Sequence, residues 1–184
     1  MTFPLLDEWL PANSSLDRPQ MILSTVSPDG GPDARTVLLT EFDDEGLYFH
    51  TDSRSRKVAD IAANPAVALT FLWPNFTRQL VVRGLAEFAP AVEQDRAYRA
   101  RSPYLKQLAW QNSPEFAQLP LEQRLALWAS FSDDDHLRHP PETWLGFVVR
   151  PHRLTFWQSN PDAPSRRDEY TLVDGAWVLG HLPG

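Results

Sequence analysis

The strongest constraint on the fold is a series of short apolar segments separated by clusters of turn-forming residues. Met21–Ser27 is apolar and β-branched, and the next six residues, Pro28–Asp33, combine proline, glycine and aspartate. Segments bounded in this way are typical of β-strands joined by tight turns. The pattern continues through Ala34–Phe42, a turn at Asp43–Gly46 and a third segment at Leu47–Thr51. The spacing therefore predicts an antiparallel meander of three strands.

The remaining chain mixes helical and extended patterns. Ser55–Asn64 has apolar residues at helical spacing, and the following proline ends that helix. Residues 92–131 are helical in character and lack strand alternation, with breaks at their prolines. Residues 1–20 predict a short helix at Leu5–Leu10 and a lead-in. Further strands are expected at Ala66–Trp73, Arg78–Phe88, Trp144–Arg150 and Arg153–Gln158, and around Tyr170 and Trp177.

About eight strands with a helical insert predict a mainly β (α+β) fold, in which a β-barrel carries peripheral helices on its outside. The 184 residues suit one domain, residues 1–184, because two domains of half this length would each be hard to stabilise. We therefore expect residues 1–20 and 92–131 to be attachments to this single domain.

Composition and charge exclude several classes of function. The chain has no cysteine, which excludes disulfides, thiolate metal sites and a cysteine nucleophile. A net charge of −7 argues against a nucleic-acid surface. No signal peptide and no membrane span is recognisable, so we expect a cytoplasmic protein. The histidines lack metal-ligand spacing, Asp133–Asp135 reads as a solvated loop, and no G-x-S-x-G elbow is present, so neither a metal site nor a hydrolase is expected.

Two cations in the first turn of a predicted helix are the most informative local feature. Arg56 and Lys57 oppose the helix dipole there, which favours negative charge by about 0.3–1 kcal/mol per group. Beside free backbone N–H groups they form an anion site, or else a solvated basic patch. Arg35 shares a strand face with Val37 and Leu39, so its charge needs a partner. A phosphate bound by Arg35, Arg56 and Lys57 would give Arg35 a partner and would explain the two cations at the start of the helix.

Several strings of residues resemble, in their order and spacing, the pyridoxamine 5′-phosphate oxidase family. They are Arg35–Thr40, Tyr48–Thr51 leading to Ser55–Lys57, Asn64-Pro65, Arg78–Gly84 and Phe156–Gln158. The resemblance covers the chain from about Met21 onward. It implies an FMN-binding split β-barrel that is active as a homodimer, with FMN at the subunit interface and a small-molecule substrate.

The resemblance also implies which residues bind FMN. The matching positions are Arg35, Thr36, Val37, Leu38, Leu39, His50, Thr51, Arg56, Lys57, Gln79, Trp157 and Arg167. It assigns Arg35, Arg56 and Lys57 to the phosphate, Gln79 to the flavin, and Trp157 and Arg167 to the partner subunit's site. Pro114-Glu115 stand where the family has Gln-Ser near the phosphate, and Asn112-Ser113 are the alternative.

The substrate residues depart from the family pattern. Thr40 stands at the position of a family lysine, and the family's tyrosine, arginine and serine fall on Ala97, Arg101 and Leu105. Ala163–Ser165 replace its Arg-Leu-His. Of the substrate-phosphate contacts, the resemblance retains Arg101, with Thr40 beside it. No catalytic acid or base is identified.

The sequence thus predicts an FMN-dependent oxidoreductase that acts on a different small substrate. Alternatives are a genuine pyridoxamine/pyridoxine 5′-phosphate oxidase, a flavin carrier without turnover, and a barrel that binds another cofactor such as F420 or haem. Binding of nucleic acid or membrane is not expected.

Overall fold

Nine strands form one curled antiparallel sheet within residues 4–15, 18–131 and 137–183, the residues that the computed structural model describes. The strands are β1 Gln20–Val26, β2 Pro32–Leu38, β3 Glu41–Phe42, β4 Leu47–Asp52, β5 Ala66–Leu72, β6 Arg78–Phe88, β7 Trp144–Gln158, β8 Arg166–Val173 and β9 Ala176–His181. Their order is β2-β1-β5-β6-β7-β4-β3, with β8 added to β7 and β9 to β8. The long strand β7 therefore pairs with β4 along its first half and with β8 along its second.

The helices lie at the periphery of this sheet. They are α1 Pro4–Trp9, α2 Arg56–Ala63, α3 Ala91–Arg99, α4 Pro103–Gln111, α5 Pro114–Gln118 and α6 Leu121–Ala129, with a 3₁₀ turn at Pro74–Phe76. The predicted mainly β fold with peripheral helices is confirmed. The predicted breaks in the helical insert also coincide with helix boundaries, because Pro103 and Pro114 begin α4 and α5 and Pro120 precedes α6. No described helix is both long and apolar enough to cross a membrane.

Alternating side chains of the strands fill the inside of the curl. In β1, Met21, Leu23 and Thr25 are buried while their neighbours face outward or lie half-buried. Phe49 of β4 stacks on Phe147 of β7 with ring centroids 5.3 Å apart. This contact shows why β4 leaves β2 and pairs with β7, since that pairing encloses both rings.

Three strand predictions need correction. The segment 34–42 is two strands, β2 and β3, and β2 begins earlier, at Pro32. The predicted strands 144–150 and 153–158 are one strand, because Pro151 sits at a register shift between Arg83 and Gly84 of β6 that accommodates its missing N–H. The three-strand meander holds in part: β4 pairs with β3, the end of the predicted second strand, across the predicted turn, but its longer pairing is with β7.

Gly84 is required where β6 and β7 shift register. A Cβ at this position meets the carbonyl oxygen of Arg150 at 2.3 Å, and that oxygen belongs to the backbone. We expect Gly84→Ala to lower the free energy of unfolding by about 2–3 kcal/mol, as overpacking does. Gly180→Ala is the matched control, because its nearest neighbour is 3.9 Å away. Urea denaturation measures both variants, and similar losses in the two would show that the close approach is relieved elsewhere.

Candidate functional site

Two neighbouring cavities lie between the sheet and the helical insert. The first, here the lysine pocket, has a volume of about 440 Å³. It is lined by Thr36, Val37, His50, Thr51, Asp52, Ser55, Lys57, Arg101, Leu108, Ala109, Asn112, Ser113, Pro114, Ala117, Thr143 and Trp144. Strand β2, strand β4, the start of α2 and the α4–α5 corner thus surround one concave space.

Lys57 is one of two cations that line the lysine pocket, and Arg101 is the other. It lies half-buried in the first turn of α2, and its Nζ donates hydrogen bonds to Thr51 Oγ1 at 3.0 Å and to Ser55 Oγ at 2.6 Å. Burial, and next the nearby charge of Arg35, lower the pKa of Lys57. In the part of the chain described, no carboxylate forms an ion pair with Lys57. An anion in this pocket would relieve both the desolvation and the repulsion between the two cations.

Arg35 obtains its partners from within the protein. Its guanidinium binds Asp33 at 2.7 Å, Asp60 at 3.2 Å and the hydroxyl of Thr25 at 2.7 Å. Arg35 does lie on the inward face of β2 as the sequence predicts, but its charge is compensated by carboxylates. The partner that its charge requires is thus present within the protein, and its contact with the cofactor phosphate stays a prediction.

Arg56 does not share the lysine pocket. Its side chain is 88% exposed and pairs with Asp33 at 3.5 Å, beside a different cavity on the loop between β1 and β2. A helix turns by about 100° per residue, so Arg56 and its neighbour Lys57 point in different directions. The structure does not bring Arg35, Arg56 and Lys57 around one cavity.

The second cavity, here the leucine pocket, has a volume of about 350 Å³. Its lining residues are Ser15, Arg18, Leu38, Leu39, Thr40, His50, Ala97, Ala100, Arg101, Ser102, Leu105 and Trp144. The four positions that the resemblance relates to substrate, Thr40, Ala97, Arg101 and Leu105, are thus brought together in one cavity. Five of its twelve lining residues are aliphatic, and two are arginines.

Arg101 is a desolvated cation between the two pockets. Its guanidinium lies 4.6 Å from the ring centroid of Trp144, and burial lowers its pKa to about 10. Among the residues described, no carboxylate pairs with it and no acceptor binds it. Such a group favours an anionic ligand, because a buried charge is costly without a partner.

His50 also lies at the boundary of the two pockets. Its ring stacks on Trp144 with centroids 4.8 Å apart and an interplanar angle of 7°. Its Nδ1 is 2.9 Å from Thr40 Oγ1, and its Nε2 is 3.2 Å from Glu93 Oε2. The resemblance places His50 against the cofactor, and in the structure its side chain is fixed from three directions.

The remaining predicted cofactor residues divide into two groups. Thr36, Val37 and Thr51 line the lysine pocket, while Leu38 and Leu39 line the leucine pocket. Gln79, Trp157 and Arg167 line neither. They form a row across β6, β7 and β8, where Gln79 is the register partner of Trp157 and Trp157 that of Arg167. Arg167 is exposed, and Phe76 packs on Trp157 with centroids 4.6 Å apart.

The loop before α5 presents Asn112, Ser113 and Pro114 to the lysine pocket. Glu115 points elsewhere and pairs with Arg54 at 3.5 Å. Ser113 Oγ accepts a hydrogen bond from Phe116 N and so begins α5. Of the two alternatives for this loop, the geometry favours Asn112-Ser113.

The sequence did not single out three residues of this site. Trp144 forms a wall of both pockets, Glu93 backs His50, and Arg18 lines the leucine pocket. Each lies in a segment without a recognisable motif, so the sequence pattern does not indicate a role in the site. Asp133–Asp135 and His136 lie outside the described residues, and within the described ones no group of three or more His, Asp or Glu residues could hold a metal ion.

The curled sheet with its peripheral helices and adjoining pockets defines a split β-barrel ligand-binding protein. A family model described as pyridoxamine 5′-phosphate oxidase matches residues 12–131. A protein named pyridoxine/pyridoxamine 5′-phosphate oxidase from Salinibacter ruber is 36% identical over 177 residues, which cover 92% of this chain and 82% of the relative. The chain therefore belongs to the pyridoxamine 5′-phosphate oxidase family.

Solved structures share the fold. PhzG from Burkholderia lata, described in complex with tetrahydrophenazine-1-carboxylic acid, superposes with a TM-score of 0.78 at 22% identity and covers 98% of this chain and 88% of its own. A pyridoxamine 5′-phosphate oxidase-related, FMN-binding protein from Nostoc punctiforme gives 0.73 at 19% identity, with coverage of 90% and 88%. At these identities the likeness shows the split-barrel fold alone.

Proposed function

We propose that this protein is an FMN-dependent oxidoreductase with its phosphate site at Lys57 in the lysine pocket. The observation that carries the proposal is a half-buried lysine that forms no ion pair with any carboxylate of the described residues. It lies beside the hydroxyls of Thr51 and Ser55 and close to Arg35. Cations and hydroxyl donors at the start of a helix suit a phosphate monoester. Membership of the family supports FMN as the group that carries this phosphate.

The residues of the lysine pocket fit the remainder of FMN as well. Apolar Val37, Leu108 and Ala109 lie beside the polar side chains of Asn112 and Thr143, which suits a flat ring with polar edges. Bound FMN supplies the redox chemistry, taking two electrons from a substrate and passing them to an acceptor. The protein contributes binding, orientation and charge.

The absorbance spectrum of the purified protein tests this proposal directly. A flavin spectrum that persists through gel filtration, with FMN released on denaturation, is the expected result. A haem or deazaflavin F420 spectrum, or protein that binds no FMN on addition, would contradict it. A bound flavin that no amine, alcohol or nicotinamide donor reduces would instead indicate a carrier without turnover.

We also propose that the protein acts as a homodimer in the cytoplasm, and that Trp157 and Arg167 complete the partner subunit's site. The row of Gln79, Trp157 and Arg167 lies outside both pockets, although the resemblance implies that all three contact FMN. A second subunit that brings this row to the lysine pocket reconciles the two observations.

Mixing two defective variants tests the shared site. Lys57→Ala and Arg167→Ala are each expected to lose high-affinity FMN binding, because each damages every site of its homodimer. In a mixed dimer one site carries both changes and the other carries none, so mixing and refolding should restore about half of the binding in heterodimers. Fluorescence titration with sedimentation measures this, and the absence of any recovery in heterodimers would show that each site is built from one subunit.

The leucine pocket is proposed to hold a substrate other than pyridoxine 5′-phosphate. Its wall is aliphatic at Leu38, Leu39, Ala97 and Leu105, and it also contains Arg18, Arg101 and the hydroxyls of Ser15, Thr40 and Ser102. The proposal rests on Thr40, Ala97 and Leu105, where the resemblance predicts a lysine, a tyrosine and a serine for a second phosphate. The names of relatives at 36% identity support the alternative, a genuine pyridoxine/pyridoxamine 5′-phosphate oxidase. The two assignments differ by a large factor in the expected turnover of that substrate.

A further inference from the structure

Three residues line both the lysine pocket and the leucine pocket: His50, Arg101 and Trp144. If FMN occupies the first pocket and substrate the second, as proposed above, the two molecules meet at these side chains. Oxidation of an alcohol or amine removes a proton from oxygen or nitrogen as well as two electrons with a hydrogen from carbon. A group that takes the proton is therefore expected at this junction.

Two of the three junction residues cannot take a proton. The indole N–H of Trp144 is a donor and is already bound to the backbone oxygen of Gln94 at 3.0 Å. Arg101 is a cation at neutral pH even with its pKa lowered to about 10. His50 is the remaining member, and imidazole is the side chain best suited to proton transfer near neutral pH.

The partners of His50 give its two nitrogens different roles. Nε2 faces the carboxylate of Glu93 at 3.2 Å, and the two side chains are only 2% and 7% exposed. A carboxylate accepts hydrogen bonds, so the ring proton belongs on Nε2, and Nδ1 is left as an acceptor. Thr40 Oγ1 lies 2.9 Å from Nδ1, and with the ring in this tautomer the hydroxyl of Thr40 is the donor. The hydroxyl oxygen of Thr40 then has lone pairs available toward the leucine pocket, which this residue lines.

We propose that Thr40 and His50 are catalytic residues that accept the proton of the substrate, and that Glu93 is a positioning residue behind them. The O–H or N–H bond of the substrate breaks as its proton moves to Thr40 Oγ1, while the hydroxyl proton of Thr40 moves to His50 Nδ1. The electron pair left on the substrate forms the new C=O or C=N bond, and bound FMN would supply the acceptor for the hydride that leaves carbon. With dioxygen as the final oxidant, formation of hydrogen peroxide would consume the proton that His50 gives up.

Glu93 is suited to stabilise the imidazolium that this step creates. Its Oε1 is buried and has no hydrogen-bond partner among the described residues, so its charge is only partly compensated before the proton arrives. A positive ring at 3.2 Å supplies that compensation. The arrangement has the logic of a hydroxyl, imidazole and carboxylate in series, with the hydroxyl acting here as a proton conduit.

A pair of small probes separates proton removal from electron transfer. Neutral nitroethane must lose a proton from carbon to a base before it can reduce a flavin, whereas its preformed anion needs no base. We therefore measure anaerobic bleaching of the FMN-loaded protein by each form. Thr40→Val and His50→Gln are expected to slow bleaching by neutral nitroethane at least about a hundredfold, the low end for acid–base catalysis, and to leave the reaction of the anion within about twofold.

The controls decide between a catalytic and a structural role. Glu93→Gln is expected to slow neutral nitroethane about tenfold with the anion unaffected, and Thr171→Val, on β8 outside both pockets, to change neither reaction. Equal losses with both forms in the Thr40, His50 and Glu93 variants would overturn the inference. So would wild-type protein that is bleached by the anion and not by neutral nitroethane, an outcome that leaves the proposed function intact. Protein that binds no flavin would overturn both.

A second readout needs no cofactor. Nitrogen-15 imidazole spectra of the flavin-free protein are expected to show His50 as one tautomer with its proton on Nε2, and Glu93→Ala is expected to remove that preference. If the proton of His50 in the wild-type protein is on Nδ1, the ring donates to Thr40 and cannot accept its proton, and the proposed relay is wrong.

Discussion

Pyridoxine 5′-phosphate added to the FMN-loaded protein is expected to release hydrogen peroxide with a kcat/KM about a hundredfold or more below that of the Salinibacter ruber relative assayed in parallel. Thr40, Ala97 and Leu105 lie in the leucine pocket where the resemblance predicts lysine, tyrosine and serine. Each charge-assisted hydrogen bond contributes about 1.5–3 kcal/mol, and about 1.4 kcal/mol is one decade. The loss of two such contacts already accounts for the expected factor.

Restoring the family residues sharpens this test. The double variant Ala97→Tyr, Leu105→Ser, which leaves Thr40 in place, is expected to raise kcat/KM for pyridoxine 5′-phosphate at least about tenfold, because it returns hydrogen-bonding groups to a wall that already contains Arg101. The same two positions changed to Phe and Ala control for altered volume. Turnover by the unmodified protein at the rate of the Salinibacter ruber relative would make the genuine oxidase the correct assignment.

The sequence predicted most of the fold because the strands are marked by local chemistry. Turn residues at Pro28–Asp33 and Asp43–Gly46 bound β1, β2 and β4, and the structure forms all three. What failed depends on pairing over long distances. Residues 47–51 contain no pattern that indicates pairing with β7, about 100 residues further along the chain. The register partners Phe49 and Phe147 stack on each other in the folded sheet, and this contact joins segments that are distant in sequence.

The candidate site shows the same division. Lys57 is recognisable from the local sequence, because a cation in the first turn of a helix opposes the helix dipole. In the structure it lines the lysine pocket. Arg35 is recognisable as a charge on an otherwise apolar strand face. Its partner Asp60 lies 25 residues away on α2, and the sequence contains no pattern that pairs the two residues. The sequence does not mark Glu93 as a site residue, because acidic residues are common in the first turn of a helix, where α3 has it.

Departures from the family pattern are informative when the structure brings them together. Thr40 stands at the position of a family lysine, and its hydroxyl meets His50 at 2.9 Å at the boundary of the two pockets. We expect the exchange of a lysine for this hydroxyl to affect both the preferred substrate and the proposed proton path. The expected low turnover of pyridoxine 5′-phosphate and the proposed relay thus share one position, Thr40.

Lys57→Ala is expected to weaken FMN binding about 10- to 100-fold and to change riboflavin binding by less than about twofold. One charge-assisted contact to a phosphate contributes about 1.5–3 kcal/mol, and riboflavin has no phosphate. The free protein should tolerate the change, because Lys57 binds only the hydroxyls of Thr51 and Ser55 among the described residues. Burial and the charge of Arg35 lower the pKa of Lys57, so removing the amine also removes a desolvated charge and its repulsion with Arg35.

The matched control is Lys106→Ala, at the second lysine of the chain. Lys106 lies on α4, where its Nζ is 5.7 Å from the ring centroid of Tyr98, and it lines neither pocket. Fluorescence titrations of both variants with FMN and with riboflavin give four affinities, of which only that of Lys57→Ala for FMN is expected to fall. Arg56→Ala adds a further comparison, because its exposed side chain pairs with Asp33 outside the lysine pocket and should matter less. Equal weakening of FMN and riboflavin by Lys57→Ala would place the phosphate elsewhere, and a larger effect at Arg56 would move it toward the loop between β1 and β2.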